Sequence, residues 1–425
     1  VSRIVCIALG GLWGLTSGAM AQAERPEVAF DRGRDVSVQQ CARLEHGFRI
    51  RNGAFAVCPS LGLQIEQTDN VFSTRSDKRS DVITTFKPGV RLGSSWSRHA
   101  LTGDASATRR QYSNFSGESV WHYTVGADSR VDINGDAKLT GGLRYSDLTE
   151  PRNAAGAAAR VVDPIEYDRW EVRVGAERAV RRIRLQGDYR FSAFDYHDGV
   201  LVAGGVAGQD FRDRDRHILT GRVDFAISPD TRFFARVRHN QRVYDLKPPA
   251  TRVERGSDGL TLDAGANFKL GEVAQGEVGI GYISQKYKSA SLSDIEGLSI
   301  DGNVKWSPTR LTTVTFRANR EVRESAVENS GGYLFTSTGV DVNHQWRRNV
   351  TLSGGLTLGG SDYQNINRTD RRLSVTTAVA YSLNRFAAIR GFYTYEDQES
   401  QELGGVGDDQ DYSRNMLGVG LILHR

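Results

Sequence analysis

The chain has 425 residues, a formal net charge of +4, 39% hydrophobic residues, 46 Gly and 9 Pro. The charge is too small to imply a nucleic-acid partner, and beyond the N-terminus no apolar run approaches the ~18 residues of a membrane-spanning helix. Neither a composition shift nor a linker divides the chain after residue 60, so a length that could supply two or three soluble domains reads as one unit.

Residues 1–23 read as a signal peptide. Arg3 is the charged start, Ile4 to Leu15 the apolar stretch, and Ala21-Gln22-Ala23 an A-x-A cleavage site before Glu24. Cys6 falls in the apolar stretch, which leaves Cys41 and Cys58 in the exported chain. Export implies an oxidising compartment, so a Cys41–Cys58 disulfide is the default and two unpaired thiols the alternative. Residues 24–59 are irregular and polar and read as a periplasmic lead-in; residues 60–425 read as the structured domain.

From Ser60 onward, short turns recur, among them Asn134-Gly135, Ser228-Pro229-Asp230-Thr231, Leu270-Gly271-Glu272 and Ser307-Pro308-Thr309-Arg310, with neighbours 37 to 48 residues apart. Between them lie pairs of alternating stretches. The pattern predicts eighteen strands, at 60–68, 80–94, 98–112, 119–132, 136–148, 165–178, 182–196, 211–227, 231–246, 257–270, 273–288, 293–306, 309–324, 333–345, 349–363, 369–382, 386–400 and 410–424. In 260–270 the even positions from Leu260 to Leu270 are apolar or small, while Thr261, Asp263, Asn267 and Lys269 alternate with them. Alternation alone also suits a soluble sandwich. Three features favour an all-β, transmembrane, antiparallel up-and-down barrel of about 18 strands. The strands are long for a soluble sheet. Every even-to-odd connection is tight while the odd-to-even ones are mostly long and polar, as periplasmic turns and extracellular loops differ. Aromatics gather at strand ends: Trp96, Phe233, Phe268, Trp306, Trp346, Tyr381 and Phe386 by the tight turns; Tyr112, Tyr167, Trp170, Tyr196, Tyr244, Tyr287 and Tyr363 by the long loops. They read as two interfacial girdles. Such a barrel sits in the outer membrane of a Gram-negative bacterium, among lipid and lipopolysaccharide, and is wide enough for an aqueous channel.

The chain has 47 Arg against 8 Lys. The rigid guanidinium fork pairs well with carboxylates inside a lumen. Parity puts Glu171, Arg173, Glu177, Arg184, Asp188, Arg190, Arg222, Asp224, Arg236 and Arg238 on the inner face of strands six to nine. Two accounts fit: a cation-rich stripe guiding an anionic solute or acidic polysaccharide, or a structural ion-pair lattice stiffening the wall. A polar lumen needs paired charges in either case. No G-x-S-x-G or H-E-x-x-H run occurs, and the eight His residues are scattered. No catalytic, cofactor-binding or metal-binding residue is expected, no cofactor is implied, and the protein reads as a non-enzyme. Acidic runs at Asp210–Asp215 and Asp408–Asp411 read as solvated loops.

Residues 48–72 contain Gly53-Ala54-Phe55, Pro59-Ser60-Leu61 and Asp69-Asn70-Val71-Phe72; Lys87-Pro88-Gly89, Ser95-Trp96-Ser97-Arg98 and Asn134-Gly135-Asp136 follow. This series resembles a family of outer-membrane β-barrel porins often found with exopolysaccharide or capsule export genes, and the likeness is motif-rich in residues 48–146. It implies an outer-membrane component of polysaccharide export, working with periplasmic export proteins and a polysaccharide. The alternatives are a general diffusion porin for small, including anionic, solutes, and, in another class, a barrel enzyme or surface scaffold. Cys58 stands where the family more often has an aromatic, which supports a Cys41–Cys58 bridge private to this chain. The last strand ends His424-Arg425, whereas barrels of this kind usually end in an aromatic read by the barrel assembly machinery.

Overall fold

The computed structural model describes residues 50–52, 54–154, 161–325, 327, 330–402 and 410–424. The expected signal peptide, Cys41 and Asp408–Asp409 lie outside the described residues. In chain order the long strands are β1 (Phe55–Thr68), β2 (Asp81–Ser94), β3 (Ala100–Tyr112), β4 (Val120–Asp132), β5 (Ala137–Thr149), β6 (Glu166–Val180), β7 (Ile183–Tyr196), β8 (Arg214–Ser228) and β9 (Thr231–Tyr244). The second half comprises β10 (Ser257–Leu270), β11 (Ala274–Tyr287), β12 (Ile295–Thr309), β13 (Thr312–Glu324), β14 (Gly332–Arg347), β15 (Val350–Tyr363), β16 (Arg368–Ser382), β17 (Ala387–Glu402) and β18 (Tyr412–His424). Each pairs antiparallel with its neighbours in sequence, and β18 returns to β1 from Ser60↔His424 to Thr68↔Met416, closing an 18-strand barrel. Closure leaves no long edge to template aggregation.

The side of burial is the reverse of a soluble barrel's. On β10, Leu260 and Leu262 are 42% and 48% exposed, while Thr261 and Asp263 beside them are buried. On β7, Ile183, Leu185 and Tyr189 are exposed and Arg184 is buried. The period-2 pattern thus places an apolar belt outside and charge inside, the arrangement a lipid surround requires. The tight turns between β2 and β3 and between every later such pair hold two to five residues, against four to seventeen at the other end. Turn chemistry supplies the tight reversals: Arg181 and Gly271 adopt left-handed backbone at φ 53° and 56°, a conformation natural for Gly and rarer for Arg.

The first strand starts at Phe55, earlier than the expected Ser60, and Ile50–Asn52 pairs back on its opening residues. Pro59 falls inside this strand. It is accommodated because β18 reaches only Ser60, so Pro59 lies on an edge where a missing N–H costs little. Cys58, on this strand, is disulfide-bonded.

Five of the seven expected members of the girdle by the tight turns, Trp96, Phe233, Trp306, Trp346 and Tyr381, are exposed, while Phe268 and Phe386 are half-buried. The expected girdle by the long loops does not hold. Of its members only Trp170 points outward, 50% exposed; Tyr112, Tyr167, Tyr196, Tyr244, Tyr287 and Tyr363 turn into the lumen. Closeness to a strand end sets height, but parity sets the face, and these residues share the parity of the luminal charges. Outward aromatics at that end include Trp121, Tyr123, Tyr189 and Tyr282 with Trp170.

Candidate functional site: the charged lumen

Toward the tight turns the inner wall is an ion-pair lattice. Arg144 donates to both oxygens of Asp104 at 2.9 Å and lies 3.7 Å from Asp128. Arg173 reaches Asp128 at 2.8 Å and Glu171 at 3.3 Å. Glu177 accepts from Gln186 at 2.7 Å and pairs with Lys138 at 3.3 Å. Asp224 receives Arg184 at 3.3 Å and Arg222 at 2.8 Å; Arg222 also donates to both oxygens of Glu277 at 2.7 and 2.8 Å. Arg236 closes the run on Asp263 at 3.0 Å and Asp301 at 2.7 Å. Of the ten expected luminal charges, Glu171, Arg173, Glu177, Arg184, Arg222, Asp224 and Arg236 are members of this lattice. Asp188 faces Gly175 and Thr220, Arg190 faces Arg173, and Arg238 faces Thr220 and Thr261 across the sheet. Their partners Asp104, Asp128, Arg144, Glu277 and Asp301 stand on β3–β5 and β11–β12, outside the expected stripe. Parity marks them as luminal, but only register shows which charges meet.

Small residues make room for the long side chains. A Cβ on Gly126 would lie 2.7 Å from Arg144 Cζ, and one on Gly142 2.5 Å from Asp128 Oδ1. The Phe234 ring lies over Gly265 and Gly279, with the Arg222 guanidinium 4.0 Å above its face. That stack combines cation–π attraction with an ion pair.

Toward the long loops the lumen opens into a chamber of about 530 Å³. Nine Lys or Arg side chains line it against four Glu. Each Glu is taken: Glu66 by Arg110 at 2.9 Å, Glu118 by Arg152 at 2.5 Å, Glu150 by Arg212 at 2.6 Å, and Glu324 by Arg242 at 2.5 Å, Arg214 at 3.4 Å and the Tyr244 hydroxyl. Arg323 and Arg414 pair with Glu321 and Glu396, outside the chamber lining. Inward aromatics pack among these cations, Tyr167 against Tyr196 at 5.0 Å and Tyr333 against Tyr363 at 4.8 Å. The guanidinium of Arg214 lies 4.3 Å over Phe194 and that of Arg212 4.1 Å over Tyr196. Burial opposes the charge on Arg212, in the loop before β8, but Glu150 beside it more than offsets this and holds it above the ordinary arginine range.

A loop segment crosses this chamber. Arg152, after β5, donates to Glu118 and to the carbonyls of Val161 and Val162 at 2.9 and 2.7 Å. Next to it Asn153, almost fully buried, donates to the Tyr412 hydroxyl at 2.7 Å, and its carbonyl accepts from Arg372 at 2.7 Å. Those partners stand on β18 and β16, so the segment spans part of the lumen and narrows the wide channel expected from strand number alone. The acidic run after β7 forms a 3₁₀ turn at Asp210–Arg212, and Asp213 accepts from the Tyr196 amide at 2.7 Å.

A sequence model of the family described as "Putative beta-barrel porin 2" matches residues 47–425. No curated protein matches the chain. Among solved structures, a mutant of the ferric enterobactin receptor PfeA from Pseudomonas aeruginosa is 5% identical at TM-score 0.46, covering 87% of this chain and 80% of that one. The siderophore receptor PirA from Acinetobacter baumannii is 6% identical at TM-score 0.46, covering 86% and 80%. OpdK from Pseudomonas aeruginosa, solved with vanillate, is 11% identical at TM-score 0.44, covering 87% and 99%.

Proposed function

Because the chain belongs to the family described as "Putative beta-barrel porin 2", we propose that this outer-membrane, porin-like barrel is a passage for anionic solutes. The observation that supports this is the chamber wall, where nine cationic side chains meet four carboxylates, each already engaged. A wall with a net positive excess inside a low-dielectric rim concentrates anions and repels cations. In this reading the barrel is a passage and not an enzyme, held in lipid and lipopolysaccharide after insertion by the barrel assembly machinery. Reversal potentials across planar bilayers in a KCl gradient test it. Anion preference is expected, and cation preference overturns it.

The finer reading is an outer-membrane component of exopolysaccharide or capsule export, acting with periplasmic export proteins. It is favoured by the motifs in residues 48–146 and demands more of the barrel. A polymer must move the Arg152–Ala154 segment aside, breaking the Asn153 bonds to Tyr412 and Arg372. Loss of surface polymer in a clean deletion, restored by the intact gene, is the expected result; normal secretion rejects the role.

A further inference from the structure

We propose that the inner wall of β2–β6 is a subsite for acidic oligosaccharides, with Lys87, His122 and Arg169 as its anchoring groups. The proposal rests on the anion-passage reading and adds the class of ligand. Register fixes the geometry. Lys87 lies between the pairs Phe86↔Arg109 and Gly89↔Ser106, level with Thr108, and Thr108 pairs with His122. One luminal row away, Ser106 pairs with Thr124, Thr124 with Ser146, and Ser146 with Arg169. The wall therefore carries a cation at each end, an imidazole in the middle and a run of hydroxyls between. With strands about 4.8 Å apart, Lys87, His122 and Arg169 are spaced by roughly 10 Å steps along the curve.

Three properties mark this wall. Among the described residues Lys87 and Arg169 have no carboxylate partner, unlike the chamber cations Arg110, Arg152, Arg242, Arg323 and Arg414. Among the described residues the Arg169 Nε and His122 Nε2 atoms, like Arg414 Nε in the same chamber, are buried and make no hydrogen bond, a costly state that a ligand rich in hydroxyls and carboxylates relieves here. The lining is hydroxylated, with stacked Tyr167 and Tyr196 beside it to take the C–H faces of a sugar ring. Cations this far apart cannot converge on one small oxyanion. They suit carboxylates spaced along a hydroxylated chain, and about 530 Å³ accommodates only a short segment of one.

The experiment uses the full barrel in detergent for calorimetry and in bilayers for current, with trigalacturonate, galacturonate and uncharged maltotriose as probes. Trigalacturonate should bind saturably and interrupt the current, with galacturonate and maltotriose at least about tenfold weaker. Lys87→Gln and Arg169→Gln should each raise its half-saturation concentration by about tenfold, while Arg310→Gln, in a tight turn at the other end, leaves it unchanged. Since neither Lys87 nor Arg169 holds an ion pair, both variants should fold, which heat-modifiable gel mobility checks. Equal binding of trigalacturonate and maltotriose, or variants with wild-type affinity, overturns the subsite. If anion selectivity persists in that case, the passage reading stands alone; cation selectivity defeats the passage reading whatever the calorimetry shows.

Discussion

Arg222→Met removes the cation at the centre of the luminal lattice. Arg222 makes four charge-assisted hydrogen bonds, at 2.7 and 2.8 Å to Glu277 and at 2.8 and 3.2 Å to Asp224. Its side chain is 4% exposed and that of Asp224 is 0% exposed. Removing one partner from a buried pair costs about 3–5 kcal/mol, chiefly because a charge is left buried and alone. Here neither carboxylate is wholly abandoned, since Asp224 keeps Arg184 at 3.3 Å and Glu277 has Arg236 at 3.9 Å. The expected loss is therefore near the low end, about 3 kcal/mol. Methionine keeps contact with the Phe234 ring, which separates the charge effect from lost packing. Arg222→Lys retains the charge without the fork and should lose about 1–2 kcal/mol. Adding Asp224→Asn to Arg222→Met should recover at least about 1 kcal/mol, because one stranded charge disappears. Guanidinium unfolding in lipid vesicles, followed by tryptophan fluorescence and extrapolated linearly, measures all three. A loss below about 0.5 kcal/mol for Arg222→Met would mean that luminal water solvates the carboxylates as well as arginine does, and the lattice would not stabilise the wall.

Two further outcomes follow from other parts of the barrel. A Cβ on Gly281 would sit 1.8 Å from the Leu262 carbonyl oxygen, whereas one on Gly187 meets nothing within 4 Å; Gly281→Ala should cost about 2 kcal/mol or more and Gly187→Ala under about 0.5 kcal/mol in the same unfolding assay. Burial, with Asp195, Asp210 and Asp245 adding repulsion, raises Asp213 from 3.8 to about 6, against the opposing hydrogen bond from the Tyr196 amide. A carboxyl raised on folding favours the folded loop while protonated, so this contribution is complete below about pH 3.8 and is lost as pH rises through about 6. Hydrogen exchange at the Tyr196 amide should be slower at pH 5 than at pH 7.5 after correction for intrinsic rates, and Asp213→Asn should flatten the difference.

The number of strands, their approximate limits and the end of the barrel at which each connection lies were legible in the sequence, because alternation and turn chemistry are local. Parity likewise grouped on one face the seven charges that meet in the lattice, since it requires no knowledge of neighbours. Parity applied to Tyr196 or Tyr363 would also have shown them inward; reading height alone placed them in a girdle. Tertiary structure decided the rest. Register determines that Arg222 meets Glu277 from two strands beyond its own partner strand, and that Lys87 and Arg169 meet no carboxylate among the described residues. Closure of β18 on β1 brings Asn153 within reach of Tyr412 and Arg372, more than two hundred positions away in the chain. Such meetings depend on barrel curvature and on the path of a loop through the lumen, and no periodicity of two records either.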